Sequence, residues 1–178
     1  MAKVMKWAAA GSFLLTAVFA GFCLADLDWA RPFAITFGTF FYHFAMRLLV
    51  GLIVDRAMGN KADCDKAWYQ LRPFEIRLYQ ILKVRKWKGN MPTYDPSCFD
   101  PKLHSWEEIA QAMCQAEIVH EIIVVLSFLP LLAAIPFGAF AVFLVTSLLA
   151  ALYDLSFVVM QRFNRPRIIK LIRKNARV

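Results

Sequence analysis

Four apolar runs, each close to the length that crosses a bilayer, constrain this chain more than any other feature. They cover residues 4–25, 33–54, 117–133 and 137–160. Hydrocarbon about 30 Å thick calls for about 20 apolar residues in a helix, which satisfies its own backbone polar groups. The chain has 178 residues, is 60% hydrophobic and has a mean hydropathy of +0.49, seldom seen in a water-soluble domain. The expected fold is therefore all-α: a single membrane domain over residues 1–178, polytopic, with about four transmembrane helices.

Lys3 and Lys6 at the start of the first run give it the look of a secretory leader. Its length, and the lack of a clean small-x-small site, predict a retained helix instead. Asp26, Asp28 and Arg31-Pro32 close that run, and Asp55-Arg56 closes the second.

Residues 55–116 are different in character, with dense charge and apolar residues in patches. Over 66–82, Trp68, Leu71, Ile76, Leu78, Tyr79 and Leu82 alternate with Arg72, Glu75 and Arg77, which predicts an amphipathic helix lying at the membrane surface. Pro92, Pro96 and Pro101 predict a loop over 89–101. Ser105 with Glu108 reads as a capping box that opens the third long helix. That helix starts polar, enters the bilayer near Glu117 and ends by Pro130. Pro136 sits in the following turn.

Positive charge orients the chain. Lys and Arg number two at the N-terminus (Lys3 and Lys6), one between the first two runs, ten over 55–116, none between the last two, and seven over 162–177. This alternation predicts a multi-pass protein of the cell (inner) membrane, with both termini, the 55–116 segment and the basic tail of 161–178 cytoplasmic. The excess of 21 Lys and Arg over 13 Asp and Glu, a net +8, suits anionic headgroups. No basic patch on a recognisable soluble domain points to nucleic acid. Cys23, Cys64, Cys98 and Cys114 have no metal-finger or redox spacing and read as free packed thiols.

Ionisable residues within apolar helices have a partner or a task. His43 and Arg47 share one helix face, as do Glu117, His120 and Glu121, and as do Asp154 and Gln161. Their polar stripes are expected to meet near the cytoplasmic interface, as a site or as an ion-pair network that fixes packing. Glu117 and His120 have the Glu-x-x-His form of di-metal bundles, but no second copy exists, so no metal is expected. A phosphate loop, a serine elbow and a His-Glu-x-x-His motif are all lacking.

Two basic motifs flank this region: Val84-Arg85-Lys86-Trp87-Lys88 and Gln161-Arg162-Phe163-Asn164-Arg165-Pro166-Arg167. Lys88 and the tail beyond Arg167 fit ordinary interfacial anchoring. Arginine beside Asn and Gln suits a phosphate or pyrophosphate.

These two motifs, with Ala116-Glu117-Ile118-Val119-His120 between them, resemble the glycosyl-4,4'-diaponeurosporenoate acyltransferase family, small membrane enzymes of carotenoid synthesis. The blocks occur in the family's order across residues 84–167, and the first half of the chain does not visibly match. Gln115 stands where the family tends to have Arg, Glu121 where it tends to have Trp, and Asp154 where it tends to have Asn. The resemblance implies acyl transfer to a hydroxyl of a lipid or glycolipid acceptor, with acyl-CoA or another acyl donor as co-substrate and no further cofactor.

Residues and resemblance together give an expected mechanism. His120 acts as general base, with Glu117 or Glu121 orienting it. Arg162, Arg165, Arg167, Arg85 and Lys86 hold the donor's phosphates beside Trp87, and Asn164 or Gln161 faces the oxyanion. His43, Arg47 and Asp154 complete the substrate-binding set. A metal-dependent lipid-modifying enzyme and a non-catalytic lipid-binding or assembly protein are the alternatives. The oligomeric state is not readable.

Overall fold

The computed structural model describes residues 2–176, so Arg177 of the basic tail lies outside the described residues. Every regular element among the described residues is helical. The α-helices are α1 (Ala2–Leu24), α2 (Arg31–Met58), α3 (Pro73–Ile81), α4 (Val84–Trp87), α5 (Trp106–Leu126), α6 (Ala134–Phe137) and α7 (Phe140–Asn175). Four helical stretches are long and apolar enough to cross a membrane: Ala2–Leu24, Asp28–Met58, Trp106–Phe137 and Phe140–Asn175. Each takes in most of one expected run.

Three local differences from the sequence reading have physical causes. The single helix expected over 66–82 is a 3₁₀ turn at Ala67–Tyr69 followed by α3. Pro73 makes the break: it disfavours helical backbone at Arg72, which is extended (φ −88, ψ 150), and then opens α3, where its missing N–H costs nothing. The loop expected over 89–101 includes two 3₁₀ turns, Lys88–Asn90 and Pro96–Phe99. The last helix does not end near residue 160. It runs through Pro166 to Asn175, although a mid-helix proline removes a ladder hydrogen bond. Arg162 and Arg165, just before the proline, are anchored to groups outside the helix, as described below.

The capping box forms as read. The Glu108 N–H donates to Ser105 Oγ at 3.2 Å, and the Ser105 N–H donates to Glu108 Oε2 at 2.8 Å. α5 then runs to Leu126, and a 3₁₀ turn at Leu129–Ala133 carries Pro130. Gly138 and Ala139 take left-handed φ values of 70 and 44 to turn the chain into α7.

The chain divides into two compact units. The first reaches to Gly51 and includes Ile122–Tyr153; the second comprises Leu52–Glu121 and the chain from Asp154. In the first unit, Phe19 of α1 stacks on Phe33 and Phe37 of α2 at 5.0 and 5.6 Å. Hydroxyls of Ser12, Thr16, Thr39, Ser127 and Thr146 donate to carbonyls one turn earlier, which satisfies them within their own helices. Tyr42 Oη donates to the Leu126 carbonyl at 2.8 Å, one of those that the end of α5 leaves without a helical partner. Trp7, Leu24, Val125, Ile135 and Leu149 are exposed, as a lipid-facing surface requires.

In the second unit, α3 has its polarity inverted. Phe74, Leu78 and Ile81 are exposed, whereas Glu75 and Tyr79 are buried. Its apolar face is thus outward, where a membrane surface would cover it. The left-handed Gly59 and Asn60 end α2, and Asn60 N–H donates to Gln115 Oε1 at 2.8 Å.

Ser105 is an exposed cap, so Ser105→Ala isolates the capping term. The variant is expected to lose about 1 kcal/mol of stability, read as a lowered thermal midpoint in detergent; an unchanged midpoint would show that the box adds nothing.

Candidate functional site

The second unit's polar groups come from a helical stripe on each of two elements. On α5, Cys114 and Glu117 are buried; on α7, Asp154, Phe157, Gln161 and Arg165 are buried, at spacings of three and four. Around these groups the structure builds two distinct arrangements.

The first is a network of charge. Glu117 accepts from Arg162 Nη1 at 2.5 Å on one oxygen and from Arg165 Nη1 on the other. Arg162 reaches Glu75 as well, from Nε at 2.5 Å and from Nη2 at 3.0 Å. It further donates to the carbonyls of Trp68 at 2.9 Å and Gln70 at 3.0 Å. A guanidinium has five N–H donors, and these contacts use all of them. Arg165 donates to the Tyr69 carbonyl at 2.7 Å and lies 5.1 Å from the Tyr69 ring centroid. Two carboxylates thus neutralise two arginines.

Glu75 is also fixed locally. Tyr79 Oη donates to it at 3.0 Å and the Arg72 N–H at 2.6 Å. Burial pushes the Glu75 carboxyl up, but the hydrogen bonds from Arg162, Arg72 and Tyr79 outweigh it and hold the group below its usual value. Burial, reinforced by Glu75, raises the Tyr79 phenol.

The second arrangement is a dyad. His120 Nδ1 lies 2.9 Å from Asp154 Oδ1. The imidazole stacks on Phe157 at 4.5 Å, with planes 7° apart. Asp154 is buried, while His120 stays partly exposed. With Nδ1 engaged by Asp154, Nε2 is the ring nitrogen left to meet a substrate. The expectation that Glu117 or Glu121 orients His120 is therefore corrected: Glu117 is occupied by two arginines, and Glu121 accepts from Trp68 Nε1 at 3.0 Å.

Beside Glu121 is a cavity of about 230 Å³, lined by Trp68, Arg72, Phe74, Glu75, Glu121 and Arg162. His120 itself is not in its lining.

The basic motifs divide likewise. Arg162 and Arg165 were expected to hold phosphates, but carboxylates and carbonyls occupy them and Arg165 is fully buried. Gln161 is buried too. Asn164 Oδ1 accepts from Lys88 Nζ. Trp87 donates from Nε1 to the Leu82 carbonyl at 2.9 Å, while Arg85, Lys86 and Arg167 are exposed. His43 and Arg47 belong to the first unit, where Arg47 donates to the carbonyls of His43 at 2.9 Å and Ala150 at 3.5 Å. Of the six ionisable groups expected in one cluster, His120 and Asp154 meet, Glu117 and Glu121 bond other partners of the same unit, and His43 and Arg47 belong to the first unit.

Cys114 donates to Cys64 Sγ at 3.2 Å, and both thiols are free. The Cys114 hydrogen bond lowers the Cys64 thiol against the effect of burial, with help from Arg165.

Sequence reasoning missed Glu75, Tyr79 and Trp68 as site-forming groups. Glu75 had a usable signal. A proline at the first helical position and an acid two residues later mark a helix start, with Tyr79 one turn on. No sequence signal placed Trp68 against Glu121.

A family model described as glycosyl-4,4'-diaponeurosporenoate acyltransferase matches residues 65–174, more than half of the chain. The match takes in the charge network and the His120–Asp154 dyad, and leaves out His43 and Arg47. No curated protein and no solved structure matches the chain.

The lowered Glu75 value has a consequence for acid stability. Its folded value is below its unfolded one, so its contribution is complete above the ordinary carboxylate range and is lost as pH falls through the folded value. Glu75→Gln is expected to cost about 3 kcal/mol at neutral pH and to flatten the acid limb of the midpoint-against-pH curve. Matching acid limbs in the two proteins would refute this.

Proposed function

The chain belongs to the glycosyl-4,4'-diaponeurosporenoate acyltransferase family and is thus an acyltransferase, and from that premise we propose that it passes a fatty acyl group to a hydroxyl of a lipid or glycolipid acceptor at the cytoplasmic face of the inner membrane. The donor is a thioester or an acyl lipid. The observation that carries this reading is the His120–Asp154 contact of 2.9 Å, with the imidazole stacked on Phe157.

A general base needs a free lone pair and a fixed tautomer. Asp154 fixes the tautomer by accepting the Nδ1 proton, so that the Nε2 lone pair faces the acceptor. Nε2 takes the hydroxyl proton as the acceptor oxygen bonds to the donor's carbonyl carbon. The tetrahedral intermediate then breaks its bond to the leaving sulfur or oxygen, which receives the proton from Nε2. Asp154 stabilises the imidazolium between these steps. The acyl group passes directly, without an ester to the protein. Asn164, its Oδ1 held by Lys88, keeps its amide N–H groups for the oxyanion.

The cavity at Trp68, Arg72 and Glu121 supports a sugar-bearing acceptor. An indole face packs on a pyranose ring, and carboxylate and guanidinium groups bond its hydroxyls. The family's own name refers to a glycosylated carotenoid acid; for this chain the corresponding acceptor is a sugar on a long apolar tail. The distribution of Lys and Arg supports the orientation with both termini cytoplasmic.

His120→Ala is expected to lower kcat by about a hundredfold or more while the thermal midpoint is retained. Asp154→Asn should lower kcat with little change in KM. Mass spectrometry of lipids from cells with and without the protein should reveal a product heavier by one acyl chain. Normal turnover by His120→Ala would overturn the assignment, and altered stability without any lipid product would favour a non-catalytic role.

A further inference from the structure

Phe163 on α7 has two cations against its ring: Lys88 Nζ at 5.1 Å and Arg167 Cζ at 4.5 Å from the centroid. Arg85 adds a third positive charge three residues before Lys88. None of the three makes an ion pair with a carboxylate among the described residues. Arg162 and Arg165 of the same basic motif are the opposite case, fully met by Glu75 and Glu117.

Like charges gathered without a counter-ion destabilise one another. Burial, then the charges of Arg167 and Arg85, push the Lys88 ammonium below its usual value. Asn164 Oδ1 nonetheless holds Lys88 Nζ in place. A chain that only needed interfacial anchors would let these side chains spread into solvent. Here an aromatic ring holds Lys88 and Arg167, and an amide holds Lys88 as well, which lowers the ordering cost for an incoming anion. Two guanidinium forks and one ammonium suit the oxygens of a phosphate, by bidentate and point-charge contacts respectively.

We infer that Lys88 and Arg167, held over Phe163, form with the neighbouring Arg85 a phosphate-binding site. It takes a phosphate ester, carried either by a soluble acyl donor of the coenzyme A type or by an anionic phospholipid headgroup. The coenzyme A alternative rests on the reaction proposed above, but His120 is not one of the phosphate-binding groups, so His120→Ala should bind normally.

The test uses the full-length protein. Coenzyme A binding is measured by calorimetry in neutral detergent, and retained phosphatidylglycerol is counted by native mass spectrometry after reconstitution with and without that lipid. Combined Arg85→Gln, Lys88→Gln and Arg167→Gln should weaken whichever probe binds by about tenfold or more. Lys61→Gln, an exposed cation of the same unit, should leave binding unchanged, and Lys88→Arg should largely retain it. Loss confined to coenzyme A assigns a soluble donor, and loss confined to phosphatidylglycerol assigns a headgroup. The proposal is overturned if neither probe binds the parent protein, or if Lys61→Gln weakens binding as much as the triple variant.

Discussion

A buried carboxylate at Glu117, shared between two guanidinium groups, governs the second unit. An ion taken out of water costs several kcal/mol unless its lone pairs and protons are met. Glu117 alone would leave an arginine charge in surplus, since Arg162 and Arg165 both bind it. Glu75 supplies the balancing charge. That requirement reaches into the backbone, because Arg162 and Arg165 also bind the carbonyls of Trp68, Gln70 and Tyr69. The non-helical stretch before Pro73 is thereby fixed by side chains of α7. The helix that contains Pro166 carries these contacts on the turn just before the proline.

The carboxylates of this unit separate by neighbour rather than by position. Glu117 and Glu121 flank His120 on α5, yet neither is the group found on its ring. A carboxylate moves to the strongest fixed positive charge in reach, and for Glu117 that is an arginine pair. Glu121 meets an indole N–H and borders the cavity. Asp154, on another helix, is left to hold the imidazole. The charge network and the His120–Asp154 contact thus use different carboxylates.

Helical periodicity and apolar length made the four long helices legible, because those properties are local. The Ser105–Glu108 cap was legible for the same reason. Glu117, His120 and Asp154 were legible as residues that needed partners, since charge in an apolar run is costly. Their partners were not, because partnership depends on distance between segments that are far apart in sequence. Glu121 illustrates the limit: its spacing put it beside His120 on one helix, but its carboxylate bonds the Trp68 indole. Lys88 shows the reverse. It looked like an ordinary anchor, and only the fold brought Phe163 and Asn164 to it. The inverted polarity of α3 was hidden because alternation gives a face without saying which side is covered.

The span of the Arg162 contacts bears on how the chain is made. Trp68, Gln70 and Glu75 are synthesised about 90 residues before the arginine that binds them. Until α7 emerges, the Trp68 and Gln70 carbonyls lack their arginine donor, and Glu75 has only its local bonds from Arg72 and Tyr79. Segment 67–75 must therefore wait for α7 before its contacts are complete. Its final placement, and the neutralisation of Glu117, are events at the end of translation. In a chain that loses its last helix early, the preceding spans could insert, but this part would remain unassembled.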